Sequence, residues 1–512
     1  MSTSPTPPSN YASLLKASTI LGGAQGINYL ITLLRIKVVA VLLGPGGVGL
    51  ISLYQSLVTL MGTVAGLGLG SSGIRSVAEA HATGNAAQTA VAVSTLRRLS
   101  WMAGIIGWLV TAALSYPISS LTFGDKHHAL GISILGACLL FGTVSAGQMA
   151  VIQGVRRIGD IARLQILATV SGTFVAVVLY TWLREEGIIP VLILTSVISF
   201  ACTWWFSSKI KLESAPLPWR RFWNDSKHVV SLGLAFVWSA VLAAAVAFAT
   251  RFLIIRDFGT DANGIYQSAW AISGMFAGFL LSAMGTDYFP RLSAVAHDHS
   301  QMNRLVNEQT EIGILLAFPG LLGTMVFAPW LMQIFYSAKF VSAAPLLPWF
   351  VLGIFFKIIS WPMGFIMQAK GATRLFVVTE TLFNVCLIVV TILLLKNHGP
   401  KGAAYAYALL YGVYILAILA MSSIMTGFRW SREAILLLVL TSTMVTVTML
   451  AHRFLPQNPA MLAGATLSFA SIIFSGRQIV RRLGPGKRWV SFLSRIPFSG
   501  FVFNIPNQPK GH

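Results

Sequence analysis

Runs of about twenty consecutive apolar residues recur along this chain from residue 17 to residue 476. As a helix, a run of that length covers a hydrocarbon layer roughly 30 Å thick. In such a layer every backbone N–H and C=O must find its partner within the segment, which helices achieve and isolated strands do not. The runs are continuous rather than alternating in steps of two, which argues against a transmembrane β-barrel. With 10% charged residues and a mean hydropathy of +0.74, against roughly 25% charge in a soluble domain, the expected fold is an all-α integral membrane protein. Fourteen spans are expected: 17–43, 47–73, 97–117, 129–153, 163–183, 188–206, 229–254, 263–287, 311–335, 345–367, 374–395, 402–427, 432–452 and 460–476. The opening MSTSPTPPSN has no basic stretch, and the run behind it is too long for a signal peptide.

The formal net charge of +21 raises the question of a nucleic-acid partner, but the placement of the charge gives another answer. With both termini on the cytoplasmic side, 25 of the 36 Lys and Arg residues fall on that side, 10 fall outside, and Lys357 stays within a span. This is the positive-inside bias, so the basicity reads as topology, both termini are expected in the cytoplasm, and no nucleic-acid partner is expected. Cys138, Cys202 and Cys386 lie apart within spans and suggest no disulfide framework. His297-Asp298-His299 lacks a third ligand at metal-site spacing and reads as a solvated loop.

The chain repeats its punctuation. Residues 42–50 read LLGPGGVGL and residues 257–265 read DFGTDANGI; an offset of 215 places Gly44 over Gly259 and Gly49 over Gly264. The polar stretch 208–228 lies between the copies, and each copy joins the first two spans of its half. Six spans return the chain to the starting side, so the halves are parallel repeats about an axis along the membrane normal. The expected domains are a tail 1–16, a first lobe 17–207, a linker 208–228, a second lobe 229–427, two added spans within 428–478, and a basic tail 479–512. Two such lobes enclose a central cavity.

Catalytic signatures are missing. GLGSSG at 68–73 fits the spacing G-x-G-x-x-G, but it ends a transmembrane run with no preceding strand, and reads as close helix contacts or a helix break. There is no G-K-[ST] phosphate loop and no H-E-x-x-H, and no outer loop is long enough to hold sugar and acid–base groups. No enzyme, metal or cofactor is expected. Ionisable residues inside spans cost roughly 2.5–3.5 kcal/mol at mid-helix and usually face a cavity. Lys357 stands mid-span and Glu380 lies in the next span, either as a structural pair or as charges lining the cavity. Arg35, Lys37, Arg251 and Arg256 run against the positive-inside bias near the outer ends of spans 1 and 7, and suit either outer headgroups or an anionic lipid-linked substrate. Asp287 is a candidate partner for one of them.

The segment STILGGAQGINYLITLLRIKVVAVLLGPGGVGLISLYQSLVTLMGTVAGLGLGSSGIRSVAEA resembles the opening of bacterial Wzx-type polysaccharide flippases. So do YFPRLS, YSAKFVSAAPLLPWFVLGIFFK, QAKGATRLFVVTE and HGPKGAAYAYA. These flippases form the polysaccharide branch of the multidrug/oligosaccharidyl-lipid/polysaccharide export superfamily, and the O-antigen and enterobacterial common antigen members are the most alike. The resemblance covers 17–427. It implies a two-lobed bundle that carries an undecaprenyl-pyrophosphate-linked oligosaccharide across the inner membrane by alternating access. Membrane lipids, a polysaccharide polymerase and a chain-length regulator would be its partners. Lys37, Lys357 and Glu380 match charged positions of the family; Arg35, Arg251 and Arg256 come from the repeat. The chain departs from the usual twelve spans by continuing through 432–452 and 460–476, the count found in peptidoglycan lipid-precursor flippases. Those flippases and a cation-coupled drug exporter of the same fold are the alternatives. The basic stretch RRLGPGKRWVSFLSR reads as a contact with anionic lipid.

Overall fold

The computed structural model describes residues 11–124, 126–210, 218–454 and 456–483. The basic stretch from residue 484 onward, part of the linker and the first ten residues lie outside the described residues. Among the described residues all regular structure is helical, in fourteen α-helices and two 3-10 segments. Eleven stretches are long and apolar enough to cross a membrane; the 44-, 51- and 39-residue stretches Gly23–Gly66, Ile158–Ser208 and Val237–Met275 are each interrupted once. Large apolar side chains face outward, among them Leu34, Phe174, Leu416 and Ile424, the last 81% exposed. Such an exterior suits hydrocarbon and not water. The chain is a multi-pass membrane protein. It divides into two compact units, Met1–Gly264 with Phe335–Ser337, and Ile265–Ile334 with Ala338–His512.

In the first unit, α1 (Tyr11–Gly66) changes direction at Gly44, whose φ of 66° and ψ of −168° are outside the helical region. Only glycine holds that geometry without strain, and Pro45 behind it supplies the fixed φ of a helix start. A left-handed pair, Leu67 and Gly68, breaks the chain before α2 (Leu69–Ala82), so the GLGSSG stretch is a helix break. Helix α3 (Ala86–Phe123) begins at Asn85, whose carboxamide oxygen accepts the N–H groups of Ala87 and Gln88 at 2.9 and 3.2 Å. That cap answers two of the orphan donors of a helix start. Helix α4 (Ala129–Gly154) packs on α1, α2 and α3, α5 (Ile158–Leu183) packs on α1, and α6 (Ile188–Ser208) packs on α4 and α5. Tyr54, Leu135, Cys138, Tyr180 and Val191 are buried where α1, α4, α5 and α6 meet.

Helix α7 (Trp219–Ala294) is interrupted at Gly259, with φ 87° and ψ 172°, the geometry of Gly44 repeated. The two breaks pack against each other. A Cβ placed on Gly49 would lie 2.0 Å from the Thr260 carbonyl oxygen, and one placed on Gly264 would lie 1.9 Å from that of Pro45. Thr260 is the offset-215 counterpart of Pro45, so each copy of the motif seats its glycine on the other copy's turn. Asn263 fastens the contact by donating its side-chain amide to the Gly49 carbonyl (2.7 Å) and to Ser52 Oγ (2.9 Å). The doubled punctuation is one reciprocal contact.

The second unit contains the rest of α7, α8 (His299–Val326), α9 (Ala328–Phe335, shared at its last residue with the first unit), α10 (Leu347–Ala369), α11 (Thr373–His398) and α12 (Lys401–Thr426), followed by α13 (Arg432–Phe454) and α14 (Gln457–Leu483). Helix α8 packs on α10, α13 and α14, so the two added helices are held by the unit rather than trailing from it. The hold is polar and periodic. Asn303, Asn307 and Glu311 recur every four residues on α8, hence on one face. Asn303 pairs with Thr426, Asn307 binds the backbone of Arg429 and Ser431, and Glu311 accepts from Ser431 Oγ at 2.6 Å. Arg482, near the end of α14, meets the other Glu311 oxygen at 3.0 Å.

Candidate functional site

Lys357 is half-buried on α10, with its ammonium 5.8 Å from the centre of the Tyr411 ring on α12. A cation over an aromatic face is attracted by the ring quadrupole while keeping its full charge. Tyr411 lies 6.0 Å from Tyr414, ring to ring, and Tyr414 donates to Glu380 Oε1 on α11 at 3.3 Å. Phe383 closes the group against both tyrosines at 4.9 and 4.6 Å. The structure thus brings Lys357 and Glu380 into one cluster, but two tyrosines stand between them and no ion pair joins them among the described residues. Tyr407, Tyr411 and Tyr414 are spaced four and three apart, one face of α12, a signal visible in YAYALLYGVY once that segment is taken as helical.

The remaining candidates belong to the first unit, apart from Asp287, whose side chain lies outside the described ones. Arg35, half-buried on α1, is hydrogen-bonded to the Tyr180 hydroxyl of α5. Lys37 is half-buried two residues on. Arg251 is 7% exposed and donates to the Ala247 carbonyl at 2.7 Å. Arg256 is exposed and doubly bonded to Asp257, at 2.7 and 3.2 Å, with its guanidinium above Phe252. Arg35 and Arg251 are near-equivalent in the repeat, yet Arg35 meets a tyrosine of α5 and Arg251 a carbonyl of its own helix, while Arg256 shares its exposed position with Asp257.

The same unit holds a cavity of about 530 Å³, lined by Thr59, Gly62, Thr63, Gly68, Ser71 and Thr143 among others, with no charged residue in its wall among the described residues. Its size falls within the roughly 300–1,000 Å³ usual for ligand sites. The glycines of the helix break form part of that wall, the role that GLGSSG plays here. Among the described residues no cluster of three or more His, Cys, Asp or Glu side chains has the arrangement of a metal site.

The family described as polysaccharide biosynthesis protein matches residues 38–345. A relative from Escherichia coli named Lipid III flippase is 26% identical over 414 residues, covering 78% of this chain and 96% of the relative. A probable low-salt glycan biosynthesis flippase, Agl15 of Haloferax volcanii, is 24% identical over 385 residues, covering 72% of this chain and 75% of that one. Among solved structures, Lipid II flippase MurJ in an inward closed conformation superposes with a TM-score of 0.69 at 14% identity, covering 91% of this chain and all of that one. An inward-facing multidrug resistance transporter of the MATE family, in the MOP superfamily, gives 0.62 at 14% identity, over 78% of this chain and 96% of its own. At these identities the structures share the fold, the all-α membrane fold of the MOP superfamily.

Proposed function

Since this chain belongs to the polysaccharide biosynthesis protein family, we propose that it is a flippase for an undecaprenyl-pyrophosphate-linked oligosaccharide. It moves this substrate from the cytoplasmic to the periplasmic leaflet of a bacterial inner membrane by alternating access, with both termini in the cytoplasm. The observation that carries the reading is the family match, which runs through both copies of the glycine motif, together with the likeness to the Lipid III flippase. O-antigen or a related surface polysaccharide unit is the substrate class, and the polymerase and chain-length regulator that extend such units are its expected partners.

The physical problem is to move a pyrophosphate through a medium in which unpaired charge is costly. In this reading Lys357 offers the passing anion a cation that no carboxylate among the described residues holds. Tyr411 keeps the ammonium oriented, and the Tyr414–Glu380 hydrogen bond anchors the far end of the cluster. Arg35, Lys37 and Arg251 act as further positive positions along the route. The chain performs no covalent step.

The test is surface glycan in a strain deleted for this gene. Wild type restores it, Lys357→Ala lowers it by at least about tenfold, and Lys357→Arg retains part, with all three inserted at equal levels. If Lys357 serves only to balance Glu380, then Lys357→Met with Glu380→Gln restores what each single change loses. Such rescue would refute substrate binding by Lys357.

A further inference from the structure

Arg97 lies on α3 at the first residue of the span 97–117 expected from the sequence. Its Nε donates to Gln148 Oε1 at 3.2 Å, and its guanidinium carbon stands 5.8 Å from the centre of the Trp204 ring. Among the described residues no carboxylate pairs with it. The acids described on neighbouring segments are already engaged: Asp160 with Arg157 and Arg163 at 3.6 and 3.8 Å, Glu79 with Arg75 at 2.7 Å. A half-buried guanidinium without a counter-anion is costly at the start of a span, and its outer N–H edge is a planar fork matched to phosphate.

The support behind this cation is constructed for it. Gln148 is 1% exposed, and its oxygen accepts both Arg97 and Ser207 Oγ, the latter at 2.7 Å. Two donors on one oxygen fix the orientation of the amide and leave its Nε2, a buried donor, without a partner. Among the described residues the site therefore offers positive charge and a buried hydrogen-bond donor, with no acidic group. On its flank Lys209 sits 3.9 Å over the ring of Trp205 and 4.6 Å over that of Phe206, while Trp204 and Trp205 are 42% and 53% exposed. Exposed tryptophans beside Lys and Arg mark the headgroup level of a bilayer.

We propose that the notch of Arg97, Gln148, Trp204 and Lys209 binds the phosphate of an anionic membrane phospholipid. The guanidinium fork holds the phosphate, Lys209 adds charge, and the acyl chains run along the exposed tryptophans. The exposed aromatic flank selects a lipid over a soluble anion. The inference rests on the membrane reading alone and stands whatever substrate the protein moves.

The experiment is native mass spectrometry of the full-length protein in neutral detergent, titrated with phosphatidylglycerol, phosphatidylcholine or inorganic pyrophosphate. Wild type retains phosphatidylglycerol at least about tenfold more tightly than phosphatidylcholine, Arg97→Gln abolishes that preference, and Arg97→Lys keeps part of it. Arg98→Gln, at the exposed neighbouring position, leaves the preference within about twofold and shows that net charge alone is not responsible. An undiminished preference in Arg97→Gln overturns the proposal. So does a wild type that binds the two lipids equally. Pyrophosphate binding that matches phosphatidylglycerol and is lost with Arg97 overturns the lipid assignment.

Discussion

Replacing Gly264 by alanine adds one carbon at the point where the two turns meet. That carbon would lie 1.9 Å from the Pro45 carbonyl oxygen, 2.6 Å from its carbon and 3.0 Å from its Cα. Ordinary contact begins near 3.4 Å, so the turns must separate by more than about 1 Å. What stands in the way is backbone, which has no rotamer to change, and overpacking of this kind costs about 1–3 kcal/mol even where side chains can adjust. A displacement of that size also stretches the 2.7 Å bond from Asn263 to the Gly49 carbonyl and leaves buried groups unsatisfied, at about 1–3 kcal/mol. Together these place Gly264→Ala at about 2–6 kcal/mol of destabilisation. Gly49→Ala meets the Thr260 carbonyl at 2.0 Å and breaks the same contact, so the double variant costs little more than either single one. Gly44→Ala is the control for backbone strain: it has open space at the Cβ, but its φ of 66° and ψ of −168° lie in a region essentially confined to glycine, about 1–3 kcal/mol. Thermal unfolding of the purified proteins in one detergent ranks the four. A Gly264→Ala protein as stable as wild type, or additive losses in the double variant, would refute the reciprocal packing of the two copies.

Two further outcomes follow from the second unit. Arg482→Ala leaves the carboxylate of Glu311, 11% exposed, with Ser431 in place of an ion pair; because Arg482 is 28% exposed the loss falls to about 2–3 kcal/mol, below the roughly 3–5 kcal/mol of a fully buried pair. Limited proteolysis between α12 and α13 should then proceed faster, and an unchanged rate would remove the clamp. Asp298, ahead of α8, accepts the Gln301 N–H at 3.0 Å and its side-chain amide at 2.9 Å, which holds its carboxyl below the usual carboxylate range. The cap's stabilisation is therefore complete above the ordinary pKa of about 3.9 and lost as pH falls through the lower folded value. The melting difference between wild type and Asp298→Asn should be flat above about pH 5 and shrink below it; a difference that grows on acidification contradicts the cap.

Periodicity and length revealed the membrane helices because the bilayer imposes them residue by residue. The glycine repeat was equally visible, and so was the isolation of Lys357, since a lysine amid apolar neighbours is conspicuous in any register. The partners were not visible. Asn263 reaches Gly49 across more than two hundred residues, and nothing in DFGTDANGI says that its amide crosses to the other copy. Arg35 and Arg251 looked alike by position, yet one meets a tyrosine of α5 and the other its own helix's carbonyl, because the neighbouring helices differ. Arg256 was legible as a charge near the outer end of its span, but its paired hydrogen bonds to the adjacent Asp257 were not. The spacing of Asn303, Asn307 and Glu311 was legible as a helical face, but that face is answered by backbone between Thr426 and Ser431 and by the end of α14, a match set only in three dimensions.

That last match has a consequence for how the protein is made. Helix α8 enters the membrane before the helices that complete its unit, carrying two carboxamides and a carboxylate on one side. Their partners come late: Thr426 to Ser431 are translated only after three more long helices, and Arg482 only near the end of a fifth. Until then Glu311 must stay near the water interface, take up a proton or borrow a transient companion, since a bare carboxylate is poorly tolerated in lipid. The second unit therefore remains open to revision through most of its biogenesis. Arrival of the final helix commits it, which makes the carboxyl-terminal segment a checkpoint for membrane assembly.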